Sequence, residues 1–281
     1  MNRRKFLKKA ALGTIGVSTV AAGIYVTEVE PFWLEFVQRP LPIENLPDKL
    51  VGKTLMQISD VHVGNGFDYQ YIIDSFKKAK EFNPDYVVYT GDYVSYENEQ
   101  QFDQLSKVLP YAVKGKLGTV GILGNHDYGK DWAEQEVADQ ITKQLNQAGI
   151  EILNNEQVEL HGLNLIGFDD YWGLNFAPAN VMKQYDPGKA NLVLCHNPDV
   201  CDLDVWNNYR GWILAGHTHG GQCKAPFLNP PMLPVKNKKY SSGEIDLQDG
   251  RKLYINRALG HLLQVRFNVR PEITLFELQR G

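Results

Sequence analysis

The hexapeptide Gly216-His217-Thr218-His219-Gly220-Gly221 places two imidazoles one residue apart, directly after the apolar run 212–215. Such a run reads as a short buried strand, so both rings stand on a glycine-flexed turn at its C-terminal end. Four other segments end apolar runs in polar residues: Ser59-Asp60-Val61-His62, Thr90-Gly91-Asp92-Tyr93, Leu123-Gly124-Asn125-His126-Asp127 and Leu194-Cys195-His196-Asn197-Pro198-Asp199. Taken singly, a pair such as Asp60 and His62 is an ordinary polar turn. Taken together, the five segments supply Asp60, His62, Asp92, Asn125, His126, His196, His217 and His219. Carboxylates, imidazoles and one amide oxygen, without thiolates, are a ligand set for borderline or hard divalent ions such as Mn, Fe or Zn. Cys195, Cys201 and Cys223 form no CxxC pair and are odd in number, which argues against a cysteine-rich zinc site and a disulfide framework. Strand alternation points Cys195 away from the face that His196 occupies, so it is read as core.

The elements that must position these residues begin near Lys53. A strand-like run at 54–59 is followed by an amphipathic stretch at 69–82, with Ile72, Phe76 and Ala79 on one helical face. Runs 86–90 and 119–123 are likewise followed by helical stretches 100–113 and 132–148. Three successive β-then-α units predict an α/β domain. Later strands are predicted closer together: a hairpin turning near His161-Gly162, then 191–194, 211–215, 252–256 and 273–277. The crevice of an open α/β sheet lies at the carboxyl ends of its strands, so the five polar segments are expected to converge there. His161 is read as an exposed turn residue, and His261 either as lining the cleft beside Arg257 or as packing.

In their order, D-x-H (60–62), G-D (91–92), G-N-H-D (124–127), H (196) and G-H-x-H (216–219), these motifs resemble the signature of the calcineurin-like metallophosphoesterase superfamily, over residues 53–280. The resemblance implies a four-layer αββα sandwich with a dinuclear metal site at the C-terminal ends of the strands. Asp60, His62 and His219 would hold one ion, Asn125, His196 and His217 the other, and Asp92 would bridge them. His217 and His219 thus serve different ions across one turn. His126 would act as the catalytic acid facing the substrate phosphate, with Asn125 and Arg257 as further substrate contacts. Two cations ~3.5–4 Å apart lower the pKa of a shared water and clamp both the attacking and leaving oxygens. Hydroxide then attacks phosphorus, and a protonated His126 neutralises the leaving oxygen, a task usually worth ~10²–10⁴-fold. Ser95 stands where purple acid phosphatases carry a tyrosine ligand, so the colour chemistry of that branch is not expected. The HTHGGQ ending, the loop Phe227-Leu228-Asn229-Pro230-Pro231 and the C-terminal segment 257–273 look like bacterial exported phosphodiesterase-type members. Those are similar to proteins assigned to UDP-2,3-diacylglucosamine hydrolysis in lipid A synthesis; Ala258 departs from a glycine frequent among them.

Composition sets the remaining expectations. The 281 residues, 43% hydrophobic, suffice for a full core. Arg3, Arg4, Lys5, Lys8 and Lys9 precede any acid, so the head carries +5 and the rest −9 of the net −4. An acidic body argues against nucleic acid as a partner. Residues 1–27 read as a signal peptide or membrane anchor: a basic start, then an uncharged stretch from Ala10 to Val26. Arg3-Arg4 followed by Lys5-Phe6-Leu7-Lys8 resemble a twin-arginine signal, which implies the twin-arginine translocation machinery as partner and a periplasmic or extracytoplasmic destination. Val20-x-Ala22 offers a cleavage site, while the stretch also reaches the lower limit for a spanning helix, so cleaved and anchored forms both stay open. Residues 28–52 read as an extended linker and 53–281 as the metallophosphoesterase domain. Between 224 and 270, nine basic residues face only Glu244, Asp246 and Asp249, around an apolar proline-rich loop. That mixture suits an anionic lipid headgroup at a membrane surface. The expected substrate is a phosphorylated small molecule or a lipid-linked diester or pyrophosphate. The alternatives are a general extracytoplasmic phosphomonoesterase and a non-catalytic metal-binding scaffold of the same fold.

Overall fold

The computed structural model describes residues 19–64 and 68–281; the paired arginines at positions 3 and 4 lie outside that range. Two six-stranded sheets carry the fold, in the strand orders β1-β12-β2-β3-β4-β5 and β10-β11-β9-β8-β7-β6. In the first, β2 (Thr54–Ile58), β3 (Tyr86–Thr90), β4 (Gly118–Ile122) and β5 (Glu151–Ile152) run parallel, and β12 (Glu272–Arg280) lies antiparallel to β2. β1 (Glu35–Ile43), from the segment read as an extended linker, pairs in parallel with β12 along its full length and makes the sheet edge. In the second, β7 (Leu163–Gly167), β8 (Ala190–Leu194), β9 (Gly211–Ala215) and β11 (Arg251–Ile255) are parallel, flanked by antiparallel β6 (Glu156–Leu160) and β10 (Gly243–Asp246).

The sheets pack face to face through Leu55, Tyr86, Val88, Ile122, Leu192, Leu214, Tyr254 and Phe276. Their central strands are covered on both faces, which is why every residue of β3 and β8 is buried and neither strand alternates apolar with exposed polar residues. Helices α1 (Tyr69–Lys80), α2 (Gln100–Val108) and α3 (Gln135–Gln147) cover the outer face of the first sheet. α1 buries Ile72, Ile73, Phe76 and Ala79; Asp68 caps it by accepting from Gln70 N at 2.8 Å, and lysines fill its last turn. The outer face of the second sheet is covered by irregular segments and the five-residue α4 (Pro178–Met182), so this fourth layer is thin.

Two helix ends differ from the periodic pattern. α2 stops at Val108, because Pro110 cannot donate within a continuing helix, and 109–111 tighten into a single turn. α3 begins at Gln135 rather than near 132: Asp131 and Trp132 adopt left-handed backbone, and the Trp132 indole stacks on Trp172 at 4.6 Å. Tertiary stacking thus overrides the local helical period. Among the described residues, no helix is long and apolar enough to cross a membrane.

Candidate metal centre

The five polar segments follow β2, β3, β4, β8 and β9, so strands of both sheets deliver their ends to one place. Close approach of those ends explains the motif glycines. At Gly216 a Cβ would lie 2.0 Å from Ser59 Oγ and 2.3 Å from Asp60 Oδ2. At Gly91, whose φ is +91°, it would lie 2.6 Å from His196 Nδ1. Asp60, His62, Asp92, His217 and His219 themselves have φ between 51° and 69°. Left-handed backbone at non-glycine residues costs energy, and five instances in one place mark a strained site held by its surroundings.

Two groups of ligand atoms result, Asp60 with His62 and His219, and Asp92 with His196 and His217; within each group the atoms lie within 4.8 Å of one another. All six residues are buried. His62 Nε2 and His219 Nε2 converge to 3.0 Å, and His219 Nε2 lies 3.3 Å from Asp60 Oδ1. Asp92 Oδ2 lies 3.1 Å from His196 Nε2 and 3.6 Å from His62 Nε2, so one oxygen faces a ligand of each group. Neighbours decide which ring nitrogen keeps its lone pair. His196 Nδ1 donates to Thr90 O at 2.7 Å, which leaves Nε2 for the site. His62 Nδ1 lies 2.9 Å from Ser95 Oγ, again leaving Nε2 inward. His217 Nε2 donates to Pro234 O at 3.0 Å, so its Nδ1 is the ligand atom.

The donor set fits cations. Asn125 Oδ1 is buried without a hydrogen-bond partner in the protein, and His196 Nε2 is buried facing the Asp92 carboxylate, an expensive arrangement unless a positive ion takes these donor atoms. Charge agrees with this. Burial alone would push Asp60 and Asp92 up, but the imidazoles prevail: His219 helps bring Asp60 down to about 2, and His196 and His126 hold Asp92 well below the usual carboxylate range. Burial and the charge of His196 pull His217 down to about 3, and burial holds His62 well below its ordinary value. These are the forms that bind metal. Burial would also lower His196, yet the Asp92 carboxylate overcomes it and keeps that ring protonated well above its ordinary range, so metal binding there displaces a proton.

His126 stands half-buried beside this centre, its ring centroid 5.2 Å from His62 and its backbone N held by Asp92 Oδ1 at 2.9 Å. Arg257 has structural partners: its guanidinium is engaged by Glu272 and, at 2.8 Å, by Glu35, so it ties β1 to the segment after β11. His161 is exposed at the β6–β7 turn. His261 is buried against Phe32; burial, with the charges of Arg266 and His219, pulls it down to about 3 and keeps it neutral. Cys195 is buried in the core of the second sheet.

Several supporting residues were not singled out in the sequence. Asp127 accepts from Tyr93 N, Val94 N and Gly124 N, and so pins the G-D and G-N-H-D turns together. Asp170 ends β7's extension, its Oδ1 accepting from Trp172 N at 2.8 Å; burial pushes this carboxyl up to about 7. Phe168-Asp169-Asp170 was a sixth polar ending to an apolar run, and that signal was available. Trp172 meets the His217 ring edge to face at 4.5 Å. Wholly buried Arg266 donates to the carbonyls of Arg257, Val269 and Gly260, fixing the segment whose Gly260 N donates to Asp60 O at 2.7 Å. Ser95 is the plainest case: read only as a missing tyrosine, it orients His62. Ser95→Ala is expected to weaken metal binding by about 10–100-fold with the fold intact, measured by metal titration of the apoprotein. Unchanged affinity would show that packing alone aims His62.

Comparison with known proteins agrees with this geometry. Residues 53–221 match the calcineurin-like phosphoesterase family. The chain is 30% identical to phosphodiesterase YaeI of Escherichia coli (strain K12), over 99% of this chain and 99% of that protein. It is 27% identical to the uncharacterized metallophosphoesterase YkuE of Bacillus subtilis (strain 168), over 99% and 98%. It is 24% identical to the UDP-2,3-diacylglucosamine pyrophosphatase LpxG of Chlamydia muridarum, over 94% and 95%. With two buried ligand groups fitting a dinuclear site at the ends of two packed sheets, and with these relatives, the chain belongs to the calcineurin-like phosphoesterase family and is a metallophosphoesterase.

Proposed function

We propose that this enzyme is exported and cleaves a phosphodiester or pyrophosphate bond in a lipid-linked substrate of the UDP-2,3-diacylglucosamine type. The observation that carries this reading is the near full-length similarity to a phosphodiesterase and to LpxG, which extends through the C-terminal segment beyond the family match. Asp60, His62 and His219 would hold one cation and Asn125, His196 and His217 the other, with Asp92 placed between the two groups. Bound there, two cations supply Lewis acidity and a nucleophile at neutral pH. The chain's own residues do the rest. Ser95, Thr90 and Pro234 aim three imidazoles, and Asp92 holds the His126 turn in place by its second oxygen. His126, half-buried beside the centre, would give a proton to the departing oxygen.

Turnover of UDP-2,3-diacylglucosamine, bis-p-nitrophenyl phosphate and p-nitrophenyl phosphate with Mn added decides among the readings. Diester and pyrophosphate cleavage should exceed monoester cleavage; a monoester preference would favour a general phosphomonoesterase. Export is tested separately. Arg3→Lys with Arg4→Lys is expected to leave most of the protein folded in the cytoplasm, because the receptor reads the arginine pair rather than its charge. Normal fractionation of the double-lysine variant would point to another route.

A further inference from the structure

We propose that three segments beside the metal centre form one face that seats on an anionic lipid bilayer; the purpose of this face rests on the lipid-linked reading above, its test does not. The segments are the helical stretch 19–29, the loop 225–232 and the turn 263–267. Hydrogen bonds tie the turn 263–267 to the helical stretch and to residues 222–224, at the root of the loop. Gln222 Nε2 donates to Leu263 O at 2.9 Å and Val265 O at 2.8 Å, and Lys224 N donates to Phe267 O at 2.9 Å. On the other flank, Arg266 N donates to Val26 O at 2.9 Å, and Gln264 Nε2 to Thr27 O at 2.9 Å. Gln222 is three residues beyond the ligand His219, so this face borders the catalytic centre.

Single exposed apolar side chains are ordinary, but here they are gathered on adjoining segments. Phe227 is 103% exposed, Met232 79%, Leu263 72% and Leu228 63%, with Ile24 and Phe267 also in solvent. Phe227 is held out on left-handed backbone, at φ 66°, a conformation a bulky residue rarely adopts without a purpose. Charge and continuity select a bilayer as the occupant. No acid occurs in 224–243 or 251–271, and Lys236, Lys238 and Lys239 are exposed a few residues beyond the loop, where Asp199 accepts from Lys236 N and Lys238 Nζ donates to Leu233 O at 2.8 Å. The described chain also begins on this face, with Val20 and Ile24 exposed, and the sequence just ahead of it is uncharged back to Ala10. Apolar side chains near exposed lysines that meet no carboxylate match acyl chains beneath anionic headgroups.

The test uses the full chain and substrate-free vesicles of phosphatidylcholine with or without phosphatidylglycerol. Wild type is expected to float with the anionic vesicles and to be released largely by high salt. Phe227→Ser with Met232→Ser and Leu263→Ser, three side chains with little packing to lose, should lower vesicle partitioning about tenfold or more. Hydrolysis of bis-p-nitrophenyl phosphate should stay at the wild-type rate. Undiminished flotation of the triple variant overturns the proposal, since the N-terminal segment alone would then hold the protein. A matching fall in diester hydrolysis overturns it too, by showing that these side chains serve the fold. Equal flotation on neutral vesicles removes the role given to the lysines and overturns the anionic assignment. A wild type that floats on neither vesicle leaves a protein partner as the occupant. The substrate reading stands or falls apart from this, on turnover of detergent-dispersed substrate.

Discussion

Asp92→Ala abolishes turnover, by about 10³-fold or more, and brings bound metal below two ions per chain. One carboxylate does two jobs here. Its Oδ2 faces His196 at 3.1 Å and His62 at 3.6 Å, one ligand from each group, while its Oδ1 accepts from His126 N at 2.9 Å. Truncation therefore removes the negative charge between the two groups and unhooks the turn that carries His126. Backbone geometry adds a complication that a second variant resolves. Asp92 sits at φ 55°, where alanine is less at ease than aspartate or asparagine. Asp92→Asn keeps the conformation and the acceptor for His126 N but loses the charge. Metal analysis and melting temperature of both variants separate the effects. Two ions per chain retained in Asp92→Asn, with activity near wild type, would show that Asp92 does not bridge.

His126→Asn keeps both metals and loses turnover by about 10²–10⁴-fold on substrates with poor leaving groups. The metal ligands are untouched, so metal content should stay at the wild-type level. The loss should shrink toward p-nitrophenolate, which departs without needing a proton. A series of aryl and alkyl diesters makes this quantitative: the logarithm of the variant's rate should depend more steeply on leaving-group pKa than that of the wild type. Parallel lines across the series would assign His126 to phosphate positioning rather than proton transfer.

Much of this enzyme is legible along the chain. Largely apolar runs such as Tyr86–Thr90 and Ala190–Leu194 announce strands buried on both faces, and the spacing of Ile72, Phe76 and Ala79 announces α1. Polar residues at the ends of such runs identify the ligand types, because a strand end is where a sheet can present side chains to a crevice. What periodicity could not reach is everything set by contact between distant segments. The His217 backbone N reaches Asp60 Oδ1 at 3.0 Å across 157 residues, and that distance depends on how two sheets are stacked. Pairing of β2 with β3 makes Ser95 the partner of His62, and the stacking places Arg257 between Glu35 and Glu272. It pulls Trp132 out of its helix onto Trp172, and other tertiary contacts tie 263–267 to Gln222 and Lys224 at the root of the 225–232 loop. Local sequence determines the elements and the chemistry of their ends. Only tertiary packing decides which ends meet, because hydrogen-bond partners and charge neighbours belong to the space between elements rather than to any one of them.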